Sequence, residues 1–561
     1  MRGTVRSGSA VAAVLVLAVA GCAVKETEDA APSTAGSTSG PAETRVEDGP
    51  GTTAEPAPAP APVPAPTPSA DAGGTTQEPE PDLSAEDEAA KLVEDLTLEE
   101  KAGQVIVAAH LGATPPVGLV ADQHLGGIIV MDPDLTTDQL AALNAAVSDA
   151  AEDAGRPWPV FLGVDQEGGL VERARGDLTR FPTFMSLGAA DDPDLTRRAA
   201  AASGAELRGV GFTAVFAPTV DVTMGPSDPT IGSRSPGGDP DLVAEHGTAA
   251  GLGYLDAGIL PVVKHFPGHG SVPADSHVQL PVQTRSLEEL GRSDLVPFEA
   301  AVEAGLPAVM VGHIQVAALE SQLPSSLEPE VVEGLLRDDL GFEGLVVTDA
   351  LNMAAVSNAY GPGQASVAAL AAGADVLLMP ADPLAARDAV VAAVADGTLA
   401  EERLDEAVVR QIAALLEAEE QGTVEPLEPG GAAEVAREVS GAAVTVVDGG
   451  CDGPLVDGGV VPMGDRTAVQ RFERAAERAG LPLGTGTTVE LLRPGQGPYG
   501  AQVSVALETP YLLASTGAPT KVALYGDTPG AMDALVAVLT GEADAPGRLP
   551  VDVDGVERPG C

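Results

Sequence analysis

Residues 160–167 read Val160-Phe161-Leu162-Gly163-Val164-Asp165-Gln166-Glu167: five positions without a polar side chain, then two carboxylates within three. A short apolar run without alternation is the pattern of a strand buried on both faces, as in a parallel sheet covered by helices. The run stops where the ionisable groups begin, so they sit at the strand's carboxyl end.

The same kind of run occurs at 104–108 and 126–131 before it, and at 214–220, 259–263, 308–311, 345–348 and 375–379 after it, eight in all. Amphipathic stretches at 137–154, 195–209, 240–257, 287–304 and 329–340 separate most of them, and a helical tail covers 383–420. Thr97-Leu98-Glu99-Glu100 has the spacing of a capping box opening a helix. Eight strand and helix units predict an α/β fold with a (β/α)8 TIM-like barrel over residues 83–424. A doubly wound open sheet is the other arrangement that this alternation allows. From residue 425 the pattern restarts, with apolar runs at 442–447, 459–463, 489–492, 503–507 and 521–525 and a helical run at 531–539. These predict a small C-terminal α/β domain over 425–561.

The 561 residues carry 30 Lys+Arg against 83 Asp+Glu, a formal net charge of −53, which argues against a nucleic-acid partner. One Trp, five Tyr and nine Phe leave no material for a stacking platform, whereas 44% apolar residues suffice for a large core. Three cysteines, Cys22, Cys451 and Cys561, are too few for a disulfide framework or a cysteine-built zinc site. Export would place Cys451 and Cys561 where they could pair, and the sequence leaves that open.

Arg2 and Arg6 precede an apolar run over 10–20 that ends in Val19-Ala20-Gly21-Cys22. The run is short for a bilayer span and reads as an export signal over 1–21. Its last four residues resemble a bacterial lipobox, which makes Cys22 the expected lipidation site. The Pro, Ala, Ser and Glu of 22–82 cannot bury enough apolar surface to fold, so this stretch is expected as a disordered stalk. The expected location is the outer face of the cell membrane, held through the lipid on Cys22.

Ionisable groups stand just after five of the predicted strands: Asp165 and Glu167, Asp221, Lys264-His265, His313, and Asp349. Charged groups converging at one barrel mouth cost energy unless they bind something, so a functional centre is expected there. Residues 264–277, Lys264-His265-Phe266-Pro267-Gly268-His269-Gly270-Ser271-Val272-Pro273-Ala274-Asp275-Ser276-His277, form a shaped loop whose prolines and glycines exclude a helix. Asp275 and His277 stand two apart, close enough for the carboxylate to orient the imidazole as an acid/base pair. Asp349 is placed to attack an electrophilic carbon, although its position alone also suits a helix cap or a metal ligand. His265, His269, His313, Lys264 and Asp349 could be arranged around zinc, but the first strand-like run offers only His110 where a metal-dependent amidohydrolase places paired histidines. No metal and no other cofactor is expected.

Asp165-Gln166-Glu167-Gly168-Gly169 with Arg173, Ile231-Gly232-Ser233-Arg234-Ser235, the 264–277 loop, Met310-Val311-Gly312-His313-Ile314 and Val347-Thr348-Asp349-Ala350 together resemble glycoside hydrolase family 3, in its β-N-acetylhexosaminidase branch. The resemblance implies that Asp349 is the nucleophile and His277 the proton donor, oriented by Asp275. It implies further that Asp165, Arg173, Arg234, Lys264, His265 and His313 hold the sugar. Leu170 and Pro236 depart from the family's usual residues, at positions that bear on specificity. Residues 545–551, Ala545-Pro546-Gly547-Arg548-Leu549-Pro550-Val551, resemble the close of the family's second, sandwich domain, here shortened. The activity implied is that of a retaining exo-enzyme removing terminal N-acetylglucosamine from cell-wall glycans or muropeptides, acting as a monomer. Transfer of the sugar to phosphate, and sugar binding without turnover, are the competing activities.

Overall fold

The computed structural model describes residues 84–451, 453–556 and 561. The expected export signal, stalk and Cys22 lie outside the described residues. Among the described residues no helix is long and apolar enough to cross a membrane.

Nine short strands build the first domain: β1 (Ile106–His110), β2 (Gly127–Val130), β3 (Phe161–Val164), β4 (Ala214–Val215), β5 (Leu260–Pro261), β6 (Val263–Phe266), β7 (Ala308–Val311), β8 (Leu345–Thr348) and β9 (Leu377–Leu378). All ladders between them are parallel, in two arcs ordered β9-β1-β2-β3-β4-β5 and β8-β7-β6. β5 and β6 are halves of one stave interrupted at Val262, whose N–H turns back to the carbonyls of Val215 and Ala217. At the other seam Val347 bridges Val376, and the Leu378 N–H donates to Thr348 Oγ1 at 3.1 Å. The ring is therefore a closed barrel of eight staves rather than an open sheet. β2, β3, β7 and β8 are buried at every residue, which is why their sequences carry no alternation.

Helices such as Thr137–Asp153, Pro193–Gly209, Pro240–Asp256 and Glu401–Glu420 turn their apolar stripes to this ring. The Thr97 capping box forms as expected, with Glu100 reciprocating on the Thr97 N–H at 2.8 Å. Three expectations shift. Gln104 closes the helix Leu98–Gln104 instead of opening β1, and the expected run 214–220 makes continuous ladder only at Ala214–Val215, pairing again in a single bridge between Thr219 and Lys264 beyond Pro218. Residues Glu330–Asp339 wind as a π-helix where an ordinary helix was expected.

One buried carboxylate fastens the closing seam. Asp375, without exposed surface, accepts from Arg337 Nη2 at 2.9 Å, Arg403 Nη2 at 2.6 Å, Arg410 Nη1 at 3.2 Å and the Val346 N–H at 2.9 Å. It thereby joins β8, the π-helix and the last barrel helix. Asp375→Ala would remove the shared buried acceptor of three guanidinium groups, whose other carboxylates, Glu333 and Glu406, are partly exposed and stand no closer than 3.6 Å, and we expect a loss of about 3 kcal/mol in urea unfolding.

The second domain is a five-stranded sheet of β10 (Thr445–Asp448), β11 (Val460–Gly464), β12 (Thr487–Leu492), β13 (Val503–Ala506) and β14 (Thr520–Ala523), ordered β10-β14-β13-β12-β11. Only β10 runs antiparallel to its neighbour. Helices Arg466–Ala479 and Pro529–Thr540 cover one face through Phe472, Met532 and Leu535. The other face packs Val447, Ala523 and Tyr525 against Met185 and Ala189 of the barrel. Cys451 and Cys561 are joined in a disulfide, Cα atoms 5.2 Å apart, closing a span that holds four of the five strands. The sequence left this pairing open.

Candidate active site

The chain leaving β3 folds into a tight hairpin, Gln166–Gly168 against Val171–Glu172. Gly169 turns at φ +59° and lies so close to the neighbouring segment that a Cβ would sit 2.4 Å from Thr183 Cγ2, so only glycine fits. The turn aims Asp165 and Glu167 at the barrel mouth. Lys264, on β6, meets both, with Nζ 3.0 Å from Asp165 Oδ1 and 2.6 Å from Glu167 Oε1. Arg234, in a short 3-10 turn Gly232–Arg234, forks onto the same Glu167 at 2.8 and 2.9 Å. Burial alone would push the Glu167 carboxyl up, but Arg234 and Lys264 outweigh it and hold the group well below the carboxylate range. Lys264 behaves in the opposite sense: desolvation opposes its charge, and Asp165 and Glu167 restore it and raise its pKa.

His265 stands beside this cluster, Nε2 3.4 Å from Arg234 Nη2 and Nδ1 2.7 Å from the fully buried Asp221. Asp221 fixes which ring nitrogen faces the mouth. Arg173 is half-buried on the hairpin, its backbone N–H on the Asp165 carbonyl at 3.0 Å and its Nε buried without a protein partner.

Asp349 follows β8 and accepts the Ala350 N–H at 2.7 Å. Burial pushes its carboxyl up; the imidazoles of His313 and His265, the Ala350 N–H and His277 prevail and hold it down at about 2. The group is thus a carboxylate at neutral pH. His313 has no exposed surface, and both ring nitrogens are engaged, Nδ1 with Ser326 Oγ at 2.7 Å and Nε2 with the Ala350 carbonyl at 3.0 Å. Burial lowers its pKa, and the two bonds the ring makes are to the protein, one of them to the residue that follows Asp349.

The loop after β6 carries the Asp275 and His277 pair. Asp275 Oδ1 accepts both the N–H of His277 and its Nδ1–H, each at 2.8 Å, which leaves Nε2 to face outward. The His277 side chain is 63% exposed, in contrast to the buried cluster below it. Desolvation works against the Asp275 charge, and the bonds from His277 lower its pKa overall. His269 anchors this loop from beneath: it is 2% exposed and meets Ser276 Oγ at 2.9 Å. Among the described residues no three His, Cys, Asp or Glu side chains are grouped as a metal site.

Glu167, Asp221 and His269 belong to this centre although no catalytic or sugar-binding role was expected of them. The signal for Asp221 was its place directly after an apolar run. Glu167 and His269 each stood inside a quoted motif, but their partners are 67 or more and 7 residues away, so only the fold reveals the bonds.

A carboxylate held ionised at one strand end, an oriented imidazole above it and a set of directional donors beside it define a glycoside hydrolase. The chain belongs to glycosyl hydrolase family 3: residues 97–414 match the family's N terminal domain. It is similar to the beta-hexosaminidase LpqI of Mycobacterium tuberculosis, 37% identical over 325 residues covering 56% of this chain and 82% of the relative. It is 36% identical to the beta-hexosaminidase A of Pseudoalteromonas piscicida over 279 residues, 47% of either chain, so it spans about half the length of that relative. Its fold is similar to that of a family 3 beta-N-acetylglucosaminidase from Paenibacillus sp. str. FPU-7, with a TM-score of 0.75 and 32% identity over 82% of this chain and 99% of that one.

Proposed function

We propose that the protein is a retaining exo-β-N-acetylhexosaminidase that releases non-reducing terminal N-acetylglucosamine from cell-wall fragments. The observation that carries this reading is the pairing of an ionised Asp349 with the Asp275-oriented His277 on separate strand-end loops of one barrel. In the first step Asp349 attacks the anomeric carbon while His277 gives its proton to the leaving oxygen, leaving a glycosyl-Asp ester and a neutral imidazole. In the second step that imidazole takes a proton from water, which attacks the anomeric carbon and frees the carboxylate, so the configuration is retained. Asp165, Arg173, Arg234, Lys264 and His265 grip the sugar; His313 donates to the carbonyl of Ala350, the residue after Asp349. Relatives named beta-hexosaminidase support the N-acetylhexosaminide as substrate.

The fragment is proposed to be a muropeptide because the leader and Cys22 read as those of an exported lipoprotein on the outer face of the membrane. Release of 4-nitrophenol from its N-acetyl-β-glucosaminide tests the activity. Product analysis on muropeptides and on chitobiose, with and without phosphate, tests the aglycone and the acceptor; sugar 1-phosphate as the main product would overturn hydrolysis. Radiolabelled lipid on the protein, lost in Cys22→Ser, tests the anchor.

The grip makes its own prediction. Glu167→Gln leaves Arg234 and Lys264 to share Asp165, and we expect KM for the N-acetylglucosaminide to rise roughly ten- to hundredfold, about 1.4–3 kcal/mol, with a smaller fall in kcat. Steady-state kinetics on the aryl glycoside measures both.

A further inference from the structure

The second domain lies outside the residues matched to the family domain, and it carries no catalytic cluster of its own. Its contact with the barrel nevertheless falls on the loop that presents Arg234. That loop, 216–239, has no regular structure beyond a single bridge from Thr219 to Lys264 and the turn Gly232–Arg234. Loops of this length need support from outside themselves if they are to hold a side chain in register.

The support is visible on both sides. From within, Thr223 Oγ1 donates to Asp228 Oδ2 at 2.8 Å, and Asp228 accepts the N–H groups of Thr230, Ile231 and Gly232 at 3.0, 2.9 and 3.1 Å, two residues short of Arg234. From outside, the second domain closes on the same few residues. Tyr511, at the start of the 3-10 helix Pro510–Ser515, sits next to Thr223 and Asp228 with its hydroxyl buried and without a hydrogen-bond partner, so its contact with the loop is one of packing, and burial there pushes its phenol up to about 12. Thr509 Cγ2 stands 3.6 Å from where a Cβ on Gly232 would lie, and the Gly238 N–H donates to the Pro550 carbonyl at 3.1 Å. The loop also passes its position on, since the Met224 N–H donates to the Gly270 carbonyl of the loop after β6 at 2.9 Å.

We propose that Tyr511 is a positioning residue for this reaction: from the second domain it clamps the 223–238 loop so that Arg234 meets Glu167 and the sugar, and the barrel's sugar pocket is complete only with that domain in place. The proposal rests on the reading of Arg234 as a sugar-gripping residue. Its physical basis is that a forked guanidinium contact tolerates little displacement, and that a displaced Arg234 would leave Glu167 buried and under-paired.

The test uses the full chain with Tyr511→Ala, Tyr511→Leu, Tyr511→Phe, Arg234→Ala and the Tyr511→Ala/Arg234→Ala double variant. Two measurements are made: kinetics on the 4-nitrophenyl N-acetyl-β-glucosaminide and amide hydrogen exchange of residues 223–238. Tyr511→Ala should raise KM about tenfold with kcat within about twofold, and should speed exchange in 223–238 about tenfold while β1 to β3 keep their protection. Tyr511→Phe keeps the packing ring and loses only a hydroxyl without a hydrogen-bond partner, so it should leave both within about twofold; if Tyr511→Ala does not fold, Tyr511→Leu decides the matter with shifts of about threefold in the same sense. In the Arg234→Ala background, Tyr511→Ala should add less than about twofold, because its effect passes through Arg234. Effects that multiply in the double variant, or unchanged exchange in 223–238, would overturn the proposal. Failure of the unaltered protein to cleave any N-acetylglucosaminide overturns the functional reading instead, and the exchange measurement still decides the clamp.

Discussion

Asp349→Asn is expected to lower kcat on an N-acetyl-β-glucosaminide by at least about 10⁴-fold, with the protein still folded. The amide keeps the size of the carboxyl and leaves the Ala350 N–H near an acceptor, but it cannot form the glycosyl ester. The carboxylate is held at about 2, so at neutral pH the wild-type group is wholly ionised and the variant loses a full charge opposite the developing oxocarbenium ion. Adding azide to Asp349→Gly separates a nucleophile from a structural carboxylate. Attack from the vacated face should give the α-glycosyl azide and restore turnover of activated substrates. A variant within tenfold of wild type would refute the assignment.

His277→Ala should divide substrates by leaving group. Loss of a general acid costs roughly 10²–10⁴-fold where the departing oxygen needs a proton, and far less for a nitrophenolate that leaves unaided. We therefore expect chitobiose or muropeptide cleavage to fall by about that range while the activated aryl glycoside falls by tenfold or less in its first step. Equal losses would argue that the exposed imidazole only shapes the loop. The pH profile gives a second reading. Asp349 has its pKa lowered from the ordinary 3.8 to about 2, so it stays ionised down to that lower value. His277 is one of the groups that hold it down, so in His277→Ala the acid limb of aryl glycoside cleavage should move up from its wild-type position; an unmoved limb would mean that the His277 imidazole does not act on Asp349.

The barrel was legible because its strands are buried on both faces, and such runs as 160–164 and 345–348 cannot hide in a sequence. The boundaries were less so. The run 214–220 is continuous ladder only over Ala214–Val215, with one further bridge at Thr219, and Gln104 goes into a helix whose capping box also stood in the sequence. At the site, residues whose chemistry is local were readable: Asp275 bonds a histidine two positions away, and Asp349 follows its strand directly. What escaped depends on distance along the chain. His313 carries a motif, yet its two bonds, to Ser326 and to Ala350, engage both ring nitrogens with groups 13 and 37 residues along the chain. The role of Asp375 in closing the ring is invisible in sequence for the same reason, because its three arginines lie 28 to 38 residues away on two helices.

The cluster proposed to grip the sugar holds two cations, Lys264 and Arg234, against two anions, Asp165 and Glu167. Asp221, Asp275 and Asp349 add further carboxylates around it, in a chain whose net charge is −53. An uncharged glycoside feels no net force from such a field, and kcat/KM for that substrate should hold within about twofold from 0.05 to 0.5 M salt. A fragment bearing free carboxylates must first cross the repulsion of the surrounding surface. Its association should quicken as salt screens that field, which makes ionic strength, rather than acidity, the natural control on which fragments are processed first.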